Sequence, residues 1–289
     1  MSGLNIIVTV KQVPDTHNIS GDAMKEDGTV NRAVLPAIMN PEDLNALEEA
    51  LKIKDLLGGK ITVITMGPPK AVQVLKECLF RGADDVILIS DRRFAGADTL
   101  ATSYALKCAI EKIGGYQLIF CGRQAIDGDT AQVGPQIAEK LGINQLSGIM
   151  SVKNVDTSSI TVCRQTEYGQ QIVRSNFPVL ITVTGDANEP RFPSVKKVMA
   201  YKDTGRLENE ESYDEAYIES ENKKIASIKE WNVDDIGADV ARCGLGGSPT
   251  KVKHIEKVVL TTSGINHIQG SDAGISELIA ELKNEHIIG

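Results

Sequence analysis

The chain has 289 residues and a formal net charge of −8, and it carries no basic run that would indicate nucleic-acid binding. No apolar stretch approaches the ~20 residues that a membrane-spanning helix needs, and the N-terminus opens without a signal-peptide pattern. We therefore expect a cytoplasmic protein with no membrane span and no nucleic-acid partner. The cysteines and histidines lack metal-ligand spacing, so we expect no metal site.

Strand and helix patterns alternate through the first half of the chain. Apolar runs at 5–10, 61–66, 85–89 and 117–121 predict buried strands. Helical patterns lie between them, and a fourth helix is predicted over about 131–141. Strands that are apolar on both faces are typical of a parallel sheet covered by helices. The sequence therefore predicts an α/β fold with an open, mostly parallel sheet and helices on both faces.

The pattern changes after residue 147. Strand-like runs at 147–153, 159–165, 171–175 and 179–184 follow without helices, and we expect them as antiparallel edge strands. After about residue 200 the periodicity fades, and residues 203–222 carry eight acids. We predict a core over 1–200 and a C-terminal arm over 201–289, with an acidic insertion and a final helix at about 271–284. So weakly apolar an arm is expected to pack on a partner.

The segment 122–135 is the most informative candidate site. It leaves a predicted strand and enters a helix through Gly128, Asp129 and Thr130. Ligands of open α/β sheets bind beyond the carboxyl ends of the strands, and helix N-termini bind phosphates. Gly128 permits a close backbone approach, while Thr130 and Gln132 can donate to phosphate oxygens. An ordinary turn capped by Asp129 explains the segment equally well, because neither GxGxxG nor a P-loop motif is present.

Several short motifs occur in one order and at one spacing. They are 10–16 (VKQVPDT), 39–41 (MNP), 66–68 (MGP), 81–84 (RGAD), 96–99 (GADT), the whole segment 122–135, and 188–191 (NEPR). Together they resemble the β subunit of an electron-transfer flavoprotein over about residues 4–270. The string Asp127–Pro135 (DGDTAQVGP) resembles the flavin-bifurcating, NADH- and ferredoxin-linked group of that family.

The resemblance implies an adenine-nucleotide-binding, Rossmann-like fold and an α-subunit partner with its own FAD. In bifurcating members the β site holds FAD, which takes a hydride from NADH and splits the electrons between ferredoxin and the α-subunit FAD, which serves a dehydrogenase. Other members hold structural AMP and tend to have a further acid where Gly128 stands, so Gly128 favours FAD. A non-redox, nucleotide-binding regulatory protein is a further alternative, which would need neither flavin nor an α subunit.

The resemblance also assigns site residues. It places the adenosine end of the nucleotide against Thr9, Asn40 and Met66. It places the phosphates against Gly122, Asp127, Gly128, Asp129, Thr130, Ala131, Gln132, Val133 and Gly134. No side chain is assigned as catalytic, because the flavin supplies the chemistry. The segment 188–195 resembles the loop that docks on dehydrogenases, with Phe192 and Val195 as apolar anchors; a plain turn with a partly buried Phe192 is the alternative.

Overall fold

The computed structural model describes residues 3–15, 36–202, 228–250 and 267–288, so the acidic stretch 203–222 lies outside the described residues. The strands are β1 Leu4–Thr9, β2 Gln12–Pro14, β3 Ala37–Met39, β4 Gly59–Met66, β5 Asp85–Ile89, β6 Leu118–Gly122, β7 Asn144–Val155, β8 Ser159–Thr166, β9 Gly169–Asn176, β10 Val179–Val183 and β11 Lys229–Trp231. The helices are α1 Pro41–Leu57, α2 Val72–Arg81, α3 Thr99–Ile113, α4 Val133–Leu141, α5 Val195–Tyr201 and α6 Asp272–Asn284.

Within the described residues, nine strands form one sheet in the order β11-β5-β4-β1-β6-β10-β7-β8-β9. The pairs from β11 to β7 are parallel. Successive side chains of β1 point to opposite faces: Ile6 and Val8 pack in the cluster with α1 and α2, and Ile7 packs in the cluster with α3 and α4. The predicted α/β class, with a mostly parallel sheet covered on both faces, is confirmed.

The four strands after residue 143 differ in part from the prediction. β8 and β9 are antiparallel edge strands, as expected. β7 pairs antiparallel with β8, as expected. The expectation for β10 was wrong, because β10 inserts between β6 and β7 and runs parallel to both. Every residue of β10 is buried, which is typical of an inner parallel strand. The sequence pattern alone does not show which neighbours such a strand selects.

Residues 228–250 contact the core, although the fading periodicity gave no strand there. β11 pairs in parallel with β5 at the sheet edge. Val233, Ile236 and Cys243 are buried in the cluster that contains α3 and α4. Lys112 of α3 lies 4.5 Å above the ring of Trp231. The packing of residues 201–289 on a partner stays a prediction. Residues 228–250 of this range also pack on the core and add the edge strand β11 to its sheet.

The final helix is confirmed as α6, with Ser271 as its N-cap; the Ser271 side chain accepts from the N–H of Gly274. Ile275 and Ile279 are exposed on this helix one turn apart. In the part of the chain that the structure describes, no helix is long and apolar enough to cross a membrane.

Candidate functional site

The chain reverses direction across the sheet between β1 and β6. From β1 it builds outward through β4 and β5, and it then returns to place β6 on the other side of β1. Such a topological switch point opens a crevice at the carboxyl ends of the strands. Thr9 ends β1, Met66 ends β4 and Gly122 ends β6, and these three strands are neighbours. The structure therefore places these three predicted site residues at one edge of the sheet.

Asp43, which the sequence did not single out, ties the ends of β1 and β6 to helix α1. Its Oδ2 accepts from the N–H of Lys11 and its Oδ1 from the N–H of Gly122, both at 2.8 Å. Burial of this carboxyl raises its pKa to about 7. A Cβ at position 122 would lie 2.6 Å from Asp43 Oδ1. Gly122 is thus required for the close approach of α1, and its N–H is already engaged by Asp43.

Asn40 binds the segment after β6 through two side-chain hydrogen bonds. It occupies the N-cap position of α1, but its side chain makes no capping hydrogen bond. Instead its Nδ2 donates to the carbonyl of Gln124 at 2.8 Å, and its Oδ1 accepts from the N–H of Ile126 at 3.1 Å. Asn40 is fully buried. Its predicted contact with adenosine stays a prediction, because both polar ends of the side chain support the loop here.

Residues 125–129 form a turn. Its hydrogen bonds engage the N–H groups of Gly128 and Asp129, which were both predicted to contact phosphate. The carbonyl of Ala125 accepts from the N–H of Gly128 at 3.2 Å and from that of Asp129 at 2.9 Å. Asp127 is paired with Lys11 Nζ at 2.6 Å. Helix α4 begins at Val133, two residues later than predicted, so Asp129 is not its N-cap.

Residues 129–132, which we call the phosphate loop, have an uncommon backbone. Asp129 and Ala131 are non-glycine residues with positive φ, 48° and 52°, and each such position costs about 1–3 kcal/mol. Ala131 is followed by Gln132 in the right-handed region, at φ −102° and ψ −30°. Alternating left- and right-handed residues turn successive N–H groups toward one point, a concavity that binds anions.

Three of the four N–H groups of this loop are available in the described part of the chain; that of Asp129 donates to Ala125. Those of Thr130, Ala131 and Gln132 donate to no acceptor in the described part of the chain. The loop leads directly into α4, whose first-turn N–H groups have no acceptor within the helix and lie at the positive end of its dipole. Thr130 and Gln132 are exposed. The arrangement fits a phosphate group, approached from the side of solvent.

Gly128 and Gly134 of the segment act differently. A Cβ at Gly134 would lie 2.7 Å from Cys121 Sγ and 2.9 Å from Thr182 Cγ2, so this glycine lets α4 pack closely on the sheet. A Cβ at Gly128 would meet no described atom within 4 Å, and Gly128 does not have a positive φ. The described residues therefore do not themselves require glycine at position 128.

Comparison with known proteins supplies the family. A model of the electron transfer flavoprotein domain matches residues 27–234. The chain belongs to the electron transfer flavoprotein family. The resemblance to β subunits of this family is confirmed by relatives that match along the whole chain.

Three relatives illustrate the range of the electron transfer flavoprotein family around this chain. It is 42% identical over 285 residues to an electron transfer flavoprotein subunit beta of Clostridium acetobutylicum, covering 99% of this chain and 100% of the relative. It is 40% identical over 293 residues to the caffeyl-CoA reductase-Etf complex subunit CarD of Acetobacterium woodii, covering 99% and 100%. It is 43% identical over 256 residues to the protein FixA of Bradyrhizobium diazoefficiens, covering 86% and 81%.

The segment 188–195 of this electron transfer flavoprotein family member is clamped onto α1. Asn188 Nδ2 donates to Glu49 Oε1 at 2.8 Å. Arg191 pairs with Glu48 and with Asp55, each at 2.9 Å. The clamp holds the backbone of the segment while its apolar side chains stay in solvent.

The two predicted anchors are exposed large hydrophobic residues of that segment. Phe192 is 91% exposed and Val195 is 79% exposed, so Phe192 is not the partly buried side chain of the alternative interpretation. Met199, 52% exposed, lies one turn of α5 beyond Val195. The i, i+4 spacing places Met199 on the same face of the helix, a signal that was readable in the sequence and was missed there.

Proposed function

We propose that this chain is the β subunit of a flavin-bifurcating electron transfer flavoprotein. It pairs with an α subunit, binds FAD, takes a hydride from NADH, and delivers one electron to ferredoxin and the other, through the α-subunit FAD, to a dehydrogenase. The observation that carries nucleotide binding is the phosphate loop, which follows β6 at the switch point of the sheet and whose N–H groups at 130–132 have no acceptor among the described residues.

The charges around the loop suit a bound pyrophosphate. Asp127 is paired with Lys11, and Asp129 Oδ1 accepts from Gln124 Nε2 at 3.1 Å. Both carboxylates thus have donors of their own within the chain. The N–H groups of the loop and the side chains of Thr130 and Gln132 then serve the ligand. An anion at a helix N-terminus gains about 0.3–1 kcal/mol from the dipole alone.

FAD is favoured over AMP by position 128. Gly128 lies in the turn that leads into the phosphate loop, and its Cβ position is open on the protein side. An acid there would add negative charge next to the phosphates, and a dinucleotide with two phosphates tolerates this less than a mononucleotide with one. The similarity to CarD, a subunit of a caffeyl-CoA reductase-Etf complex, supports a role beside a reductase.

The residues of this chain bind and orient rather than react. When bound, FAD supplies hydride acceptance from NADH and the release of single electrons. Asp43 and Asn40 fix the strand ends and the loop beneath the nucleotide. Phe192 and Val195, held out by the clamp on α1, form the contact for the dehydrogenase. Apolar anchors of this kind contribute about 2 kcal/mol or more each at an interface centre.

The nucleotide content of the purified complex tests the proposal. Co-expressed with its α subunit, the chain should give a heterodimer that carries two FAD and little AMP. Flavin absorbance and nucleotide analysis of acid extracts would be measured on the same preparation. One FAD and one AMP per heterodimer would show that the β site holds AMP and that the chain is not bifurcating.

A further inference from the structure

A row of hydrogen bonds connects Gln132 to the buried face of α3. Ser103 Oγ lies 2.9 Å from both the carbonyl oxygen of Leu100 and Gln136 Oε1, two acceptors for its single proton. Gln136 Nε2 donates to Thr99 Oγ1 at 3.4 Å. Thr99 Oγ1 in turn donates to Gln132 Oε1 at 2.9 Å. Ser103, at the inner end of the row, is fully buried. Three polar side chains thus lead from the core to the end of the phosphate loop.

The contact with Thr99 engages the carbonyl end of the Gln132 amide. The Thr99 oxygen already accepts from Gln136, so its single proton is directed at Gln132 and selects the carbonyl oxygen of the amide. The two N–H donors of the amide then point away from α3. If the amide were reversed, a carbonyl oxygen would take their place, and that dipole would repel a phosphate.

We propose that Thr99 is a positioning residue for nucleotide binding, which acts by holding the Gln132 amide with its N–H groups toward the phosphates. The inference rests on the site of the proposed function, but it applies to any nucleotide whose phosphate occupies the phosphate loop. Neither the phosphate-loop assignment nor the docking segment includes Thr99, which touches the site through Gln132.

The backbone of Thr99 is itself fixed by the C-terminal segment. Thr99 begins α3, and the preceding Asp98 caps that helix by accepting from the N–H of Ala101 at 2.9 Å. Asp98 also accepts from the N–H of Thr250 at 3.0 Å and donates its own N–H to Ser248 Oγ at 2.8 Å. Residues 248–250 therefore hold the helix end on which Thr99 sits.

Nucleotide affinity of the full-length heterodimer tests the role of Thr99. FAD and AMP would each be titrated into the complex after its β-site nucleotide has been removed. Thr99→Val keeps the shape and removes the hydroxyl, and it should weaken both nucleotides by about 3- to 10-fold, the loss expected for one hydrogen bond. Thr99→Ser keeps the hydroxyl and should stay within about 2-fold of the wild type. Wild-type affinity in Thr99→Val would overturn the proposal.

A double-mutant cycle separates positioning from support of the fold. If Thr99 acts through Gln132, Thr99→Val should cause no further loss in a Gln132→Ala background. An equal loss in both backgrounds would show that Thr99 acts elsewhere and would overturn the inference. Thr99→Ala, which also lacks the hydroxyl, replaces the valine variant should the latter lower the unfolding midpoint.

The test of Thr99 can fail or succeed independently of the bifurcating assignment. If the wild-type complex carries AMP instead of FAD, the bifurcating assignment fails. The role of Thr99 is then decided by the AMP titrations alone, because the phosphate is common to both ligands.

Discussion

The substitution Gly128→Asp probes the phosphate loop most directly. A steric clash is not expected, because a Cβ at Gly128 would meet no described atom within 4 Å. Backbone strain is not expected either, because Gly128 does not have a positive φ. An aspartate there should therefore fold without strain, and its effect on nucleotide binding should come from its charge and from its proximity to the ligand. The Thr130–Gln132 N–H groups that would face the phosphates follow within four residues.

The expected loss follows from the charges. Two like charges ~4 Å apart at an effective dielectric of ~20 repel by about 4 kcal/mol. Solvent and salt screen an exposed loop, so we expect a loss of about 1–3 kcal/mol, or about 5- to 100-fold in FAD affinity. The α-subunit FAD should remain, which leaves about one FAD per heterodimer. NADH-driven ferredoxin reduction by the assembled complex should be lost with the β-site flavin.

Two control variants sharpen this experiment. Gly128→Asn has the size of aspartate without its charge, and Gly128→Ala adds only the Cβ for which the structure has room. Both should bind FAD more tightly than Gly128→Asp, and the Asp–Asn difference should shrink as ionic strength rises. Flavin content and ferredoxin reduction would be measured on each preparation. If Gly128→Asp keeps both flavins and full activity, the pyrophosphate does not lie against this loop.

Three further predictions concern the arm, the docking segment and the buried acid. Truncation after residue 250 should weaken binding of the α subunit, measured by calorimetry, and leave the core folded, measured by its unfolding transition. Unchanged affinity would contradict the predicted role of the arm. Truncation before residue 228 should destabilise the core because it removes β11, Val233 and Ile236. Phe192→Ala or Val195→Asp should slow electron delivery to the dehydrogenase but leave NADH oxidation by an artificial acceptor intact, and equal loss of both activities would mean that the segment supports the fold. Burial raises the pKa of Asp43 to about 7 in the folded state, well above the usual range of a carboxyl group. The wild type should therefore lose about 2 kcal/mol of stability from Asp43 as pH rises from 5 to 7. Asp43→Asn should lack this component in denaturant unfolding, and identical pH profiles would refute the assignment.

Much of the architecture could be predicted because it follows from local patterns. Continuous apolar runs predicted β1, β4, β5 and β6, and helical patterns were recognised between them. Where the pattern was weak or ambiguous, prediction failed. β11 is a three-residue strand with exposed charges, and β10 has the composition of an inner strand but follows two antiparallel ones.

For the candidate site, the sequence by itself determined the segment and the residue types. It placed Gly128, Thr130 and Gln132 between a strand and a helix, and the ordered motifs indicated the family. Only the tertiary structure decided which groups are available: the N–H groups of Gly128 and Asp129 donate to Ala125, while those of 130–132 have no acceptor in the part of the chain that the structure describes. Asp43 and Thr99 contribute through contacts 79 and 33 residues away along the chain. Such pairings depend on how the strands and helices are arranged in space, which no local pattern of residues records.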